Sequence, residues 1–477
     1  MLKKERLIAM RKKSALLLTI LFLIVLIGCE KTKLPITSDD IQDASEVVQD
    51  VTVVSELKEA ESLSENGQQV FLKLENTQSI NSFKIRGAFY MISKLTPQQR
   101  EKGLCTCSAG NHAQGVGLAA DRLGCQATIY VPSSTPEMKL ERIRSYKNVT
   151  LKIIDGGFDD AKQACLEDVE SSGKIYIPPY DDKDVISGQG TVGLEIMNQL
   201  PDADAVVVPV GGGGLASGIA VAVKSVNPNC RVYAVEPENA ASMKASVEAG
   251  KPVELASADT IADGTAVKKP GDLTYQICSS LCDGFITVSE DDIKSAIAHL
   301  YLEEGITAEG AGALSTAAVL TGQIPSDCKK VVCIISGSNI DPDKLQEIVD
   351  EADGIRTIST ADAPAAVGPY SQAIVANDTV YLSGQIALNP DTGEIVGHTA
   401  EEQAEQVCKN IEAVLEAAGT DIGKVVKTTC YLANIEDFSA FNEVYAKHFT
   451  TAPARSCVAV ADIPKGALVE IDVIAVK

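Results

Sequence analysis

Lys84 lies in Ser82-Phe83-Lys84-Ile85-Arg86-Gly87-Ala88, an apolar run of small side chains. A lysine amine attacks a carbonyl only when burial or nearby charge lowers its pKa, and such a run can supply the burial. The commonplace alternative is a surface lysine laying its stem along apolar neighbours. A second group of residues, Val208-Pro209-Val210-Gly211-Gly212-Gly213-Gly214-Leu215, puts four glycines after a buried strand and before an amphipathic helix. There the backbone N–H groups can close around an anion, and the helix N-terminus favours negative charge. No Gly-Lys-Ser/Thr follows, and the spacing is not G-x-G-x-x-G, so neither a Walker loop nor a dinucleotide fingerprint is implied. A simple tight turn is the other reading. Ser108-Ala109-Gly110-Asn111-His112-Ala113-Gln114-Gly115 gathers hydroxyl, amide and N–H donors at a strand-to-helix turn, suited to a carboxylate or a ring oxygen, or merely to capping the helix. Near the C-terminus, Arg455 in Pro453-Ala454-Arg455-Ser456-Cys457 is a rigid fork for a carboxylate. Glu470 in Val469-Glu470-Ile471 could position a water. Each could equally form an ordinary surface ion pair.

These groups need a scaffold that brings strand ends together. From Gln69 onward, short β-rich runs alternate with amphipathic segments. The strand candidates are Val70–Leu74, Leu104–Ser108, Ala127–Val131, Thr150–Ile154, Ala205–Val210, Arg231–Glu236, Gly284–Val288 and Lys330–Ser336, and a helical stretch runs around Asp40 to Val54. Such alternation predicts a mostly parallel sheet covered on both faces, with ligands at the carboxyl ends of the strands. Near Asp353–Ile358 the pattern changes. Strands are predicted over Thr379–Ser383, Lys424–Leu432, Ser456–Val460 and Val469–Val476, and helices over Thr399–Ala418 and Asp437–His448. The expected organisation is therefore a signal-like segment 1–29, an α/β domain over 30–350 and a compact α+β domain over 351–477.

Taken together, the first set of motifs resembles the tryptophan-synthase-type (fold type II) pyridoxal-phosphate (PLP) enzymes, and more narrowly the threonine/serine dehydratases. Besides the three segments above, the resemblance rests on Lys73-Leu74-Glu75-Asn76, Ser187-Gly188-Gln189-Gly190-Thr191, Ala234-Val235-Glu236-Pro237-Glu238-Asn239, Thr260-Ile261-Ala262-Asp263-Gly264, Glu309-Gly310-Ala311-Gly312-Ala313 and Ser336-Gly337-Ser338-Asn339. It covers roughly residues 36–345. It implies two α/β subdomains with open sheets, PLP held by Lys84, Phe83 against the pyridine ring, and Asn111 at the ring hydroxyl. It also implies phosphate-binding N–H groups on Gly211, Gly212, Gly213, Gly214 and Leu215, with Ser336 at the pyridine nitrogen. Ser108, Gly110, Asn111 and His112 would bind the substrate carboxylate. The activity implied is L-threonine and L-serine ammonia-lyase, in amino-acid catabolism or isoleucine biosynthesis. The family's Arg-Thr-Pro-Leu segment is replaced here by Asp50-Val51-Thr52-Val53-Val54, and its SGGN reads SGSN. Ala109 stands where related serine racemases carry a second serine, which favours elimination over racemisation or β-replacement. Glu236 and Ala240 match those racemases' cation site, but Ser242 replaces its acid, so no metal site is expected.

Residues 354–477 resemble the Rid family of enamine/imine deaminases, trimers of a chorismate-mutase-like α+β fold with sites between subunits. By motif, Arg455 would grip the substrate carboxylate and Glu470 handle water and proton, while Tyr370, Ser383, Asn442 and Cys457 would line the pocket. Ala452 departs from the aromatic that often precedes Pro-Ala-Arg-Ser. A fused enzyme follows: one half makes 2-aminocrotonate or 2-aminoacrylate, and the other hydrolyses the derived imine. A homo-oligomer is implied, with dimers or tetramers from one half and trimers from the other.

The overall charge fits small-molecule chemistry. The formal net charge is -23, and residues 351–477 hold 8 Lys+Arg against 18 Asp+Glu, so nucleic acid is an unfavourable partner. Four scattered histidines form no metal-ligand spacing. Thirteen unpatterned cysteines read as buried thiols of a reducing, cytoplasmic compartment. The N-terminus points elsewhere. Six basic residues precede the apolar run Ala15–Ile27, and Leu26-Ile27-Gly28-Cys29 resembles a lipobox with Cys29 as the lipid-anchor residue. The competing reading is thus a catalytically inactive, membrane-anchored binding lipoprotein.

Overall fold

The computed structural model describes residues 34–64 and 67–477. The signal-like segment and Cys29 lie outside the described residues. The chain divides into two compact units, the first ending at Asn339 and the second running from Ile340 to Lys477 and taking in Ile297–Ile306.

The first unit opens with helix α1 (Ser38–Val48), capped by Thr37 and Asp40 in a reciprocal box. It stops six residues before the expected end. The Thr52 hydroxyl bonds back to the Val48 carbonyl, and Val53 and Val54 continue as exposed extended chain. Strands β1 (Leu57–Glu59) and β2 (Gln69–Lys73) follow, then α2 (Lys84–Ser93), β3 (Leu104–Cys107), α3 (Asn111–Leu123), β4 (Ala127–Pro132), β5 (Val149–Ile154), α4 (Phe158–Ser172), β6 (Ile175–Tyr176) and α5 (Lys183–Gln199). Further along come β7 (Ala205–Pro209), α6 (Gly214–Val226), β8 (Arg231–Pro237), α7 (Asp272–Leu281), β9 (Gly284–Val288), α8 (Gly310–Leu320) and β10 (Lys330–Ile334), with shorter or peripheral helices between them.

These strands form two open sheets, as the family resemblance implies. The larger runs β1-β2-β10-β7-β8-β9, parallel except for β1; the smaller runs β5-β4-β3-β6, all parallel. Their apolar runs (Ala205–Val208 all buried, for instance) are what burial on both faces demands. Helices α2 and α5 touch backbone to backbone, because a Cβ on Gly188 would lie 2.6 Å from the Gly87 Cα.

The second unit holds α9 (Pro342–Ala352), β11 (Ile355–Ile358), β12 (Ala373–Ala376), β13 (Thr379–Ile386), α10 (Ala400–Ala417), β14 (Val425–Leu432), α11 (Phe438–His448), β15 (Ala454–Ala459) and β16 (Val469–Val476). Its sheet order is β11-β12-β13-β16-β14-β15, antiparallel except for β14 with β15. The alternating burial of β14 and β16 puts Thr428, Cys430, Leu432, Ile471 and Val473 into one core with the apolar faces of α10 and α11.

Candidate active site

In the first unit, the ends of β3, β7 and β10 and the start of α2 supply the functional side chains. Lys84 is the first residue of α2, and its amine donates to the Pro179 carbonyl at 2.8 Å. Burial lowers its pKa to about 8, with Glu309 pulling the other way. The Phe83 ring lies 5.2 Å from the amine. The loop bearing Phe83 is tied to the one bearing Ser336, since Phe83 N–H donates to the Ser336 carbonyl at 3.2 Å and Ser82 pairs with Gly337. Ser336 itself is buried at the carboxyl end of β10 and donates weakly to the Ala311 carbonyl at 3.4 Å.

The four-glycine run forms a cradle between β7 and α6. A Cβ on Gly212 would sit 2.3 Å from the Tyr180 ring. One on Gly213, at φ +94, would sit 2.6 Å from the Met243 methyl. The N–H groups of Gly211 to Leu215 find no backbone acceptor among the described residues, as expected at a helix start open to an anion.

The third segment opens α3. Ser108 Oγ accepts from Gly110 N–H at 3.2 Å, leaving its proton to donate. Asn111 is clamped: its Nδ2 donates to Glu309 Oε1 at 2.7 Å, and its Oδ1 accepts from Asn339 Nδ2 at 2.6 Å. The His112 ring is committed elsewhere. Its buried ring lies 2.9 Å from the Ile177 carbonyl through Nε2, so the proton sits there, and Nδ1 is a lone pair without a donor. Burial and the neighbouring Lys84 lower its pKa to about 3, keeping it neutral. A neutral ring so placed cannot donate to a carboxylate. The donors at this turn include the Ser108 hydroxyl and the N–H groups of Asn111 and His112 in the first turn of α3.

Two features escaped the sequence reading. Glu309 bridges Asn111 and Asn339, accepting also from Asn339 N–H at 3.1 Å, and burial raises its pKa. The segment from Ile177 to Asp182 acts as a hub. Ile177 O receives His112 and Thr106, and Pro179 O receives Lys84. The Asp181 carboxylate accepts three N–H groups at the start of α7, and Asp182 caps α5. Only the Pro178-Pro179 pair ahead of two aspartates could have marked it as a rigid, capping turn. Glu236, for its part, is spent accepting from Met243 and Lys244 N–H, both at 2.8 Å.

A desolvated lysine, an anion cradle demanding glycine, an aromatic face and a buried hydroxyl together fit pyridoxal phosphate. Residues 49–337 match the family model described as pyridoxal-phosphate dependent enzyme.

The chain belongs to this family.

Among its relatives, the L-threonine ammonia-lyase of Thermotoga maritima is 44% identical over 319 residues, covering 66% of this chain and 79% of that protein. The catabolic L-threonine dehydratase of Escherichia coli is 42% identical over 323 residues, covering 67% and 98%. Solved family structures include processed threonine deaminase isoform 2 from Solanum lycopersicum (TM-score 0.63, 40% identity, 66% of this chain and 93% of that one). Maize serine racemase is another (TM-score 0.63, 34% identity, 66% and 97%). Residues 360–477 match the family model described as endoribonuclease L-PSP, so the chain is a fusion.

In this C-terminal unit the expected residues fall into two groups. Tyr370, Ser383 and Glu470 line a cleft of about 660 Å³. Glu470 Oε1 lies where a Cβ on Gly384 would be, in the bulge of β13, and burial followed by Asp472 raises its pKa. Arg455 is elsewhere. Its Nη1 donates to Asn442 Oδ1 at 2.8 Å, and its guanidinium lies 4.4 Å from the Tyr445 ring centroid. Arg455 pairs with Thr428, whose hydroxyl meets Tyr445 on the helical side; Cys457 pairs with the buried Cys430. Glu470 pairs with Tyr431, three positions on from Thr428 in β14, which the period of two turns to the other face. Within one chain, Arg455 and Glu470 therefore occupy opposite faces of the sheet.

Proposed function

We propose that the first unit is an L-threonine ammonia-lyase that also accepts L-serine, and that the second hydrolyses the imine it releases. The desolvated Lys84 amine beside the glycine cradle carries this reading, supported by relatives at 42–44% identity named for threonine. Bound pyridoxal phosphate supplies the electron sink that acidifies the substrate Cα–H. The N–H groups of Gly211 to Leu215 would hold its phosphate, and the neutral hydroxyl of Ser336 would serve its ring nitrogen. The N–H groups at the start of α3, with Ser108, hold the substrate carboxylate. The Lys84 amine takes the α-proton, a role its lowered pKa suits. The β-hydroxyl leaves as water, and the enamine tautomerises to an imine that water converts to 2-oxobutyrate, or pyruvate from serine, and ammonia.

In the second unit, over residues 351–477, Arg455 would grip the imine's carboxylate and Glu470 activate water. Because these two side chains lie on opposite faces, the site is completed by another copy of the chain, which supports a homo-oligomer. Imine hydrolysis is preferred to RNA cleavage because the unit is acidic. Twelve free thiols among the described residues support a cytoplasmic enzyme, and no described helix is long and apolar enough to cross a membrane.

The test is 2-oxo acid release from L-threonine and from L-serine, with Lys84→Ala as control. Bound cofactor with no oxo acid would defeat the reading and favour the inactive binding protein. A second reading, serine racemisation, has the maize neighbour in its favour; Ala109, packed among apolar side chains and lacking a hydroxyl, stands against it, and D-serine formation would decide.

A further inference from the structure

Behind Lys84 lies a charged cluster with no part in the chemistry described so far. Arg86 is two residues further along α2, on the far side of the helix, and fully buried. Its Nε and Nη2 donate to the two oxygens of Glu75, both at 2.7 Å. Its Nη1 donates to Glu195 Oε1 at 2.7 Å and Thr191 Oγ1 at 3.0 Å. Lys73, also buried, donates to Glu195 Oε2 at 2.6 Å, the Ser55 carbonyl at 2.7 Å and Gln199 Oε1 at 2.9 Å. The Ser55 hydroxyl closes the cluster on Glu75 Oε1 at 2.6 Å. Two cations balance two carboxylates. Burial works against the charges of Lys73, Glu75 and Arg86, yet Arg86 holds the Glu75 carboxyl below its usual range, and Glu75 in turn raises Arg86.

Stability alone does not explain the arrangement. Apolar residues of similar volume commonly replace a buried ion pair at no cost. A planar fork on a carboxylate instead fixes direction, which apolar packing does loosely. We propose that the Arg86–Glu75 fork, backed by Glu195 and Lys73, sets the rotation and depth of the first turn of α2 and so aims the Lys84 amine at the Pro179 carbonyl. Arg86 and Glu75 are thus positioning residues. The inference rests on the reading of Lys84 as the reactive amine.

The test uses the full chain with Glu75→Leu and Arg86→Met combined, which removes one charge of each sign and leaves Lys73 paired with Glu195. The thermal midpoint should hold, while kcat on L-threonine falls at least about tenfold with KM nearly unchanged, as misaimed groups do. Two readouts independent of turnover should move with it. One is the visible circular dichroism of the bound cofactor. The other is the pH midpoint of Lys84 labelling by an amine reagent in cofactor-stripped protein. Arg86→Lys, which keeps the charge without the fork, is the milder variant and should shift both readouts the same way. Wild-type values in either variant, or a loss of kcat matched by a loss of thermal midpoint, would overturn the proposal. Because labelling reports Lys84 directly, that failure is distinct from Lys84 not being the reactive amine, which Lys84→Ala activity reveals.

Discussion

Substituting Gly212 with alanine puts the cradle under a defined load. The added Cβ would stand 2.3 Å from two carbons of the Tyr180 ring and 2.5 Å from a third, well inside any real contact. Tyr180 cannot simply retreat: the adjoining Asp181 is held by three N–H groups of α7, and Pro179 by Lys84. Overpacking of this kind costs about 1–3 kcal/mol. If the strain falls on the cofactor-bound state, affinity for pyridoxal phosphate drops about 5- to 150-fold. The assay is cofactor titration into stripped protein, for Gly212→Ala, Tyr180→Ala and the double variant. With the ring gone, Gly212→Ala should cost almost nothing, so the coupling should approach the full penalty of about 1–3 kcal/mol. Wild-type affinity in Gly212→Ala would refute the account of the cradle. An equal loss with and without the ring would refute the role given to Tyr180.

Lys84→Ala should lower 2-oxobutyrate release by at least about 10²-fold, the scale of a lost general base, and abolish borohydride-fixable cofactor. In the cofactor-free protein, Lys84 with a pKa near 8 binds fewer protons than the unfolded chain between about pH 8 and 10.5, so its contribution to stability rises with pH across that window; Lys84→Met should flatten that rise in a pH series of urea melts. Glu236 works with the opposite sign: its carboxyl, raised to about 7 by burial, binds more protons folded than unfolded between about pH 4.5 and 7, so its contribution falls as pH rises there, and Glu236→Gln should remove that fall. Arg455→Ala should lengthen the lifetime of the released imine while leaving the rate of threonine consumption unchanged, read by trapping the imine with semicarbazide.

Much of this was legible in the sequence, where a signal is local. Lys84, the glycine run and the Ser108–His112 turn carry their chemistry in consecutive residues, and strands such as Gly284–Val288 and Val469–Val476 fall where their apolar runs predict. Short strands did not declare themselves: the edge strands β1, β6 and β11, and β12 beside β11, are two to four residues long and are ordered by their neighbours. Partnerships across long separations were equally silent. Glu309 meets Asn111 from 198 residues away, and Arg86 meets Glu195 from 109. The His112 tautomer depends on the Ile177 carbonyl, 65 residues on, which no motif names. Nor does the spacing of Arg455 and Glu470 disclose that register turns them apart.

That last feature has a bearing on dose. The residues proposed for the lyase site all come from one unit of one chain, whereas a site that drew Arg455 from one copy and Glu470 from another would exist only in the assembled fraction, which falls with protein concentration by mass action. The ratio of imine made to imine removed would then be set by expression level rather than by either rate constant. If the second half hydrolyses the imine as proposed, a scarce protein would release the reactive product unprocessed.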